Sequence, residues 1–335
     1  NNLETKGIKH INGKAKFLGP NTIKVGNRCY RADKFVIATG GYPLYPDIEG
    51  SELGITSDEF FELDKCPEKV ALIGSGYISL ELACIFNALG SEVSVLIRSQ
   101  TVLNKFDNML GEQIKNILSN QGISFITDFL PEKVFKNNSG INLTNKHGLK
   151  LGGYDIVLWA IGRRANTLDL DLEKAEVRKN SEGFIQVDEW QQTSSKNIFA
   201  IGDVTGCPAL TPVAIAAGRR LADRLFNNMS DRRLSLDAIP TVIFTHPPIG
   251  TVGLTESEAR LKFGNKIDIY ESKFYSMGQA FMSERERSTM KMIVTGEDQK
   301  ILGCHLIGDG VDEMLQGFAV AIRMGATKQD FDDTI

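Results

Sequence analysis

Apolar positions along this chain fall into short runs split by glycine, and their spacing predicts strands alternating with helices. "KVALI" (69–73) is a continuous apolar run of strand length, and Gly74-Ser75-Gly76 then turns the chain. Ile78, Leu82, Ile85 and Leu89 recur at helical spacing, Gly90 stands where a left-handed residue ends a helix, and "EVSVLI" (92–97) reads as the next strand. Further strands are predicted at 124–126, 156–160 and 197–201. Ahead of this unit, "KAKFLGPNTIKVGNRCYRADKFVIATGG" (14–41) predicts hairpins broken at Gly19-Pro20-Asn21 and Gly26-Asn27, then a strand at 34–38. Pro43 and Pro46 mark a crossing between domains.

In "LTPVAIAAGRRLADRLF" (210–226) Thr211 is expected to cap a helix with Pro212 at its first position, and Ala214, Ala216, Ala217 and Gly218 leave room for close packing. Thr255 and Glu258 form a capping box, and "TMKMIVT" and "KILGCHLIG" flank a turn at 296–299. A helix over 311–324 is expected to place Met314, Phe318, Ala321 and Ile322 on one side and to end at Gly325. The pattern is that of an α/β protein with an α+β C-terminal unit.

Composition narrows the class. The chain has 335 residues, enough for two or three domains, with 42% hydrophobic and 24% charged residues, both ordinary for globular proteins. A net charge of −4 gives no support to nucleic-acid or anionic-membrane partners, and no run approaches the ~18 apolar residues of a membrane span. Cys29, Cys66, Cys84, Cys207 and Cys304 are too scattered for a metal motif or a CxxC pair. They read as free thiols of a reducing cytosol, so a cytoplasmic protein is expected. The four histidines form no ligand pattern. The chain opens without Met and stops at "DFDDTI", and it is expected to be part of a longer protein.

Two places carry chemistry. Gly74-x-Gly76-x-x-Ser79 lies between a strand and a helix, the setting in which free N–H groups and a helix dipole face a dinucleotide pyrophosphate. Where NAD sites carry an acid at the end of the second strand, this chain has Arg98, with Asn104 and Lys105 beyond. A base there favours a 2′-phosphate, hence NADPH; the bland alternative is a solvated surface arginine. The second place is "AIGDVTG" (200–206), where Asp203 ends a strand shortly before a helix. It either accepts hydrogen bonds from a polyol, as in the ribityl chain of a flavin, or caps its own loop.

In combination, "ATGG" (38–41), "GSGYISLELACIFNALGSEVSVLIR" (74–98), "AIGRRAN" (160–166) and "AIGDVTGCPALTPVAIAAGRRLADRLF" (200–226) resemble the pyridine nucleotide–disulfide oxidoreductases. "IPTVIFTHPPIGTVGLTESEA" (239–259) and "DEMLQGFAVAIRMGATKQDFDDTI" (312–335) resemble the glutathione-reducing branch of that family. The resemblance implies Rossmann-like FAD- and NAD(P)-binding domains plus a C-terminal α+β dimerisation domain. The divisions implied are 1–41 (remainder of an FAD domain), 42–165 (NADPH), 166–237 (second part of the FAD domain) and 238–335 (dimerisation). It also implies FAD and NADPH as cofactors, oxidised glutathione as substrate, a role in redox homeostasis, and a homodimer whose active site is shared between subunits.

By the same resemblance, Gly74, Ser75, Gly76 and Ile78 hold the NADPH pyrophosphate. Arg98 is the first of two bases for the 2′-phosphate, and Asn104 stands where the second usually is. Tyr77 covers the nicotinamide pocket. Glu81 pairs with a lysine outside this chain. Gly162, Ala209 and Val242 line the nicotinamide side, and Thr39 and Gly40 form a flavin-domain turn. Asp203 holds the ribityl chain, the Thr211 amide faces the flavin pyrimidine edge, and Arg219 contacts a glutathione carboxylate. The family's first glycine loop, its CxxxxC pair and its C-terminal His-Pro segment have no counterpart here. The 335 residues alone are therefore expected to be inactive. Other readings are dihydrolipoamide dehydrogenase, a thioredoxin-type or mercuric reductase, or a non-catalytic NADPH-binding or dimerisation module.

Overall fold

The computed structural model describes residues 3–283 and 285–334. The chain divides into two compact units, each made from two separate segments. One comprises the residues up to Tyr42 together with Arg163–Ser235; the other comprises Pro43–Gly162 together with the residues from Leu236 onward.

In the first unit, strands Ala15–Gly19, Thr22–Val25 and Arg28–Arg31 form an antiparallel meander, as the broken β-rich runs predict. Phe35–Ile37 pairs in parallel with Ile198–Ala200, which brings together segments far apart in sequence. Phe17, Ile37, Leu172, Ile198, Ala200 and Val204 are core residues there. The strand Ile198–Ala200 runs through Ile201 into a single 3-10 turn, Gly202–Thr205, and helix Thr211–Phe226 follows. That helix begins one residue earlier than the sequence suggests. The amides of Val213 and Ala214 both donate to the Leu210 carbonyl, so Leu210 is the N-cap and Thr211 is already helical. Pro212 sits in the first turn, where a missing N–H is harmless.

In the second unit a five-stranded parallel sheet runs in the order Ile55–Thr56, Ile156–Trp159, Lys69–Ile73, Glu92–Leu96, Ser124–Ile126. Its central strand is buried and apolar, as expected of a parallel strand covered on both faces. Helix Tyr77–Ala88 follows the glycine turn and ends before Gly90, which is left-handed with φ 96°. Its buried stripe includes Leu80, Ala83 and Phe86, and Ile85 and Leu89 are exposed. Of the positions chosen by spacing, Leu82 is buried and Ile78 packs on the core, but Ile85 and Leu89 are not part of the buried face, which is rotated towards Leu80, Ala83 and Phe86. Phe86 sets the rotation, because its ring meets Phe60 edge-on at 5.2 Å inside the core.

An antiparallel sheet at the C-terminal end runs in the order Thr241–Ile243, Ile249–Gly253, Lys300–Ile307, Ser288–Thr295, Ile267–Phe274. The capping box of Thr255 and Glu258 is present on helix Glu256–Phe263. Helix Val311–Met324 ends at left-handed Gly325 as predicted, but Val311, Leu315, Ala319 and Ile322 form its buried face. Met314 is exposed, and Phe318 packs at its margin against Phe331. Among the described residues no helix is long and apolar enough to cross a membrane.

Candidate functional site

The two glycines of the turn after Lys69–Ile73 serve different needs. Gly74 has φ 140°, and a Cβ there would lie 2.2 Å from the Ala160 carbonyl oxygen, so the neighbouring strand itself demands glycine. Gly76 is the N-cap of helix Tyr77–Ala88 at φ −84°, and a Cβ there would meet nothing within 4 Å. Among the described residues nothing requires glycine at 76. The open space fits the second glycine of a dinucleotide loop, which lets a ligand approach the backbone. The residues present fit a pyrophosphate: an open approach, a bare helix N-terminus and no acid in its first turn. Ser79, in place of the third glycine, is fully buried, and its hydroxyl has no partner among the described residues.

Strand Glu92–Leu96 delivers Arg98 to the surface, exposed and without a side-chain partner among the described residues. The following loop is tied to the glycine turn, because Leu103 donates its amide to the Ser75 carbonyl at 2.8 Å. Asn104 is exposed and accepts a hydrogen bond from the Thr101 hydroxyl at 2.6 Å, and Lys105 is exposed beside it. Tyr77 and Ile78 open the helix and pack partly against the core. Gly162 has φ 134° and accepts from the Leu44 amide at 3.0 Å, and Val242 lies half-buried in Thr241–Ile243.

Glu81, on the helix after the turn, accepts the Phe244 amide at 2.8 Å. Burial raises its pKa, and the Phe244 amide offsets that only in part. One turn on, Cys84 is buried and its thiol is pushed up to about 11, so it is an inert packing residue.

The loop also carries a residue that spacing did not single out. Asp107 is buried and caps helix Asn108–Asn120 by accepting the Met109 amide at 3.1 Å. It accepts the Glu256 amide at 2.9 Å and the Lys291 ammonium at 2.9 Å as well. An aspartate just before an amphipathic run is a readable cap; its distant partners are not.

The first unit gathers the other candidates. Thr39 donates its hydroxyl to the Asn166 carbonyl at 2.7 Å, and left-handed Gly40 accepts the Asn166 amide at 2.9 Å. Asp203 lies in the 3-10 turn after Ile198–Ala200, half-buried, and its carboxylate has no partner among the described residues. Gly202 has φ 73°, and a Cβ there would sit 3.3 Å from that of Ala214, so the turn lies against the start of the helix. Ala209 and Thr211 are exposed at that start, where Pro212 has no N–H, the Val213 and Ala214 amides are taken by Leu210, and the Thr211 amide has no backbone acceptor among the described residues. An unpaired carboxylate in a turn that lies against a helix start, with the Thr211 amide left over, fits a ligand that offers hydroxyls to the first and a partial negative charge to the second. Arg219 lies on the same helix, exposed and unpaired among the described residues.

A parallel sheet with a dinucleotide turn, a second unit with an acid at a strand's end and an antiparallel terminal sheet fit the FAD- and NADPH-dependent disulfide oxidoreductases, the class that the family match and the relatives show. The chain belongs to the pyridine nucleotide-disulphide oxidoreductase family, whose model matches residues 1–218, and the family's dimerisation domain matches residues 239–335. It is 41% identical to the glutathione reductase of Schizosaccharomyces pombe over all of this chain and 74% of that protein. Its fold is similar to the HOCl-induced flavoprotein disulfide reductase RclA of Escherichia coli. The TM-score is 0.88 at 27% identity, over 98% of this chain and 76% of that one. The Cu(II) complex of the same reductase matches with a TM-score of 0.91, also at 27% identity, over 99% of this chain and 76% of that one.

Proposed function

We propose that this chain belongs to an NADPH-dependent reductase of oxidised glutathione, working as a homodimer in the cytoplasm. The substrate assignment is carried by Arg219, a free guanidinium on the helix that begins at Thr211. An acidic tripeptide disulfide offers carboxylates that such a planar fork takes up in pairs. The 41% identity to a glutathione reductase supports the same substrate. The dimerisation domain supports a homodimer. Five free cysteines among the described residues support a reducing compartment.

In this reading the parts are 1–41 and 166–237 for the flavin, 42–165 for the nucleotide and 238–335 for the dimer. Gly74, Ser75, Gly76 and Ile78 present amides to the NADPH pyrophosphate, and Arg98, Asn104 and Lys105 meet its 2′-phosphate. Tyr77 shields the nicotinamide pocket, and Gly162, Ala209 and Val242 line it. Thr39 and Gly40 shape the flavin-domain turn, Asp203 holds the ribityl hydroxyls and the Thr211 amide faces the pyrimidine edge. Glu81 holds a proton more readily than an ordinary carboxyl, which suits a group waiting for a lysine partner. Bound together, the two cofactors supply a two-electron path from reduced nicotinamide to a disulfide.

The test is turnover by the full-length protein. A flavin spectrum, NADPH oxidation dependent on glutathione disulfide and a much weaker rate with NADH are expected. A colourless protein, or equal use of NADH, overturns the reading.

A further inference from the structure

The loop between Arg98 and Asp107 is held at three points. Its start is fixed where the Ile97 amide donates to Ile126 at the edge of the parallel sheet. Its middle is fixed by the bond from Leu103 to Ser75, with Val102 and Leu103 buried and Leu103 in the left-handed region at φ 55°. Its end is Asp107. The helix that Asp107 caps lies hard against the loop, since a Cβ on Gly111 would come within 2.4 Å of the Val102 carbonyl oxygen. A shift of this helix therefore moves the loop that carries Arg98, Asn104 and Lys105.

The helix is positioned from the antiparallel sheet. Lys291 projects from Ser288–Thr295 and is paired across the sheet with His305, which is paired in turn with Thr251. His305 is fully buried, with Nδ1 2.6 Å from the Thr251 hydroxyl and Nε2 2.9 Å from the Leu254 carbonyl oxygen. Both nitrogens are thus engaged, and burial keeps the ring neutral. Lys291 is left to Asp107 at 2.9 Å and Glu256 at 2.5 Å, the side chains of Lys291 and Asp107 being 7% and 1% exposed. A buried carboxylate and ammonium so placed tolerate little movement, because parting them leaves each charge without solvent.

We propose that Asp107 and Lys291 are positioning residues for nucleotide selectivity: the antiparallel sheet, through this ion pair, sets the loop that meets the 2′-phosphate. The inference rests on the reading of Arg98 as that phosphate's partner. Both side chains are buried against each other, so their effect on the nucleotide runs through the loop. Their loss weakens whatever depends on the placement of the loop and leaves the substrate side, read from Arg219, unaffected.

The test uses the full-length protein with Lys291→Met, Lys291→Arg, Asp107→Asn and, as a control on the nucleotide reading, Arg98→Glu. Binding of 2′,5′-ADP and of 5′-AMP is measured by calorimetry, and KM is measured for NADPH and for the disulfide. Lys291→Met and Asp107→Asn are expected to weaken 2′,5′-ADP about tenfold while leaving 5′-AMP and the KM for disulfide within about twofold, and Lys291→Arg restores most of the loss. Should Lys291→Met fail to fold, Asp107→Asn carries the test, since it keeps one acceptor oxygen for the Met109 cap while removing the charge that holds Lys291. If Arg98→Glu weakens 2′,5′-ADP and the folded pair variants do not, the positioning role is overturned. The same holds if they weaken 5′-AMP equally. If Arg98→Glu has no effect, the reading of the phosphate site falls first, and the inference with it.

Discussion

A Cβ on Gly74 would lie 2.2 Å from the carbonyl oxygen of Ala160, while one on Gly76 would meet nothing within 4 Å. The two glycines of one turn therefore separate under mutation. Gly74→Ala is expected to cost more than about 3 kcal/mol, from left-handed strain plus backbone overlap, and to reduce yield. Gly76→Ala should change stability by less than about 1 kcal/mol, loss of a good N-cap partly offsetting reduced freedom of the unfolded chain. It should nonetheless weaken NADPH roughly tenfold or more. Denaturant midpoints and NADPH titrations on the two variants check both statements.

Arg98 is solvated and unpaired among the described residues, so its charge is available to a ligand. Arg98→Glu should raise the KM for NADPH by roughly 10–100-fold, the range for loss of a hydrogen bond to a charged group, with little change for NADH. Steady-state kinetics with both nucleotides decide it; a parallel rise for the two would defeat the 2′-phosphate role, and no change for either would assign Arg98 to the surface alone.

Arg219 should behave in the opposite sense. Arg219→Ala is expected to raise the KM for oxidised glutathione about tenfold and leave the KM for NADPH unchanged. Kinetics at saturating NADPH measure this directly, and an unchanged KM removes the support Arg219 gives to that substrate.

Asp107 gives the protein an acid-sensitive joint. Burial raises its pKa, but the Glu256 amide and the Lys291 ammonium more than offset this and hold it below the usual carboxylate range. An acid depressed in the folded state contributes stability that is complete above its unfolded pKa and is lost as pH falls through the folded value. The unfolding free energy should therefore decline below about pH 4, and Asp107→Asn should flatten that decline. Lys291→Met, which strands the buried carboxylate, should cost about 3–5 kcal/mol at neutral pH. Urea unfolding across the acid range provides the comparison.

What could be read from the chain was local. The strand, glycine turn and helix around Gly74, the capping box at Thr255 and the stop at Gly325 each depend on a few adjacent residues, and the structure has them. The buried face of Tyr77–Ala88 was only partly placed because that helix carries apolar residues nearly all round, whereas on amphipathic Val311–Met324 Phe318 and Ile322 do pack inward and Met314 does not. Which stripe turns inward is decided by neighbours such as Phe60, beyond the reach of periodicity. The start of Thr211–Phe226 moved by one residue because the Leu210 carbonyl took two amides, a choice that Thr211 and Pro212 do not announce. At the candidate site, the glycine turn and Arg98 were legible as a motif. The junction of Asp107 with Lys291 was not, since no local pattern links them.

Lys291 follows Asp107 by 184 residues. On a ribosome that interval is roughly 10–40 s, and the Glu256 amide is also still unmade for most of it. During that time the newborn carboxylate is hydrated and caps a single helix. The loop that carries Arg98 thus reaches its finished shape only after the antiparallel sheet that bears Lys291 has emerged. Translation halted before Ser288 would release a polypeptide that has the glycine turn and Arg98 but not the cation that steadies them.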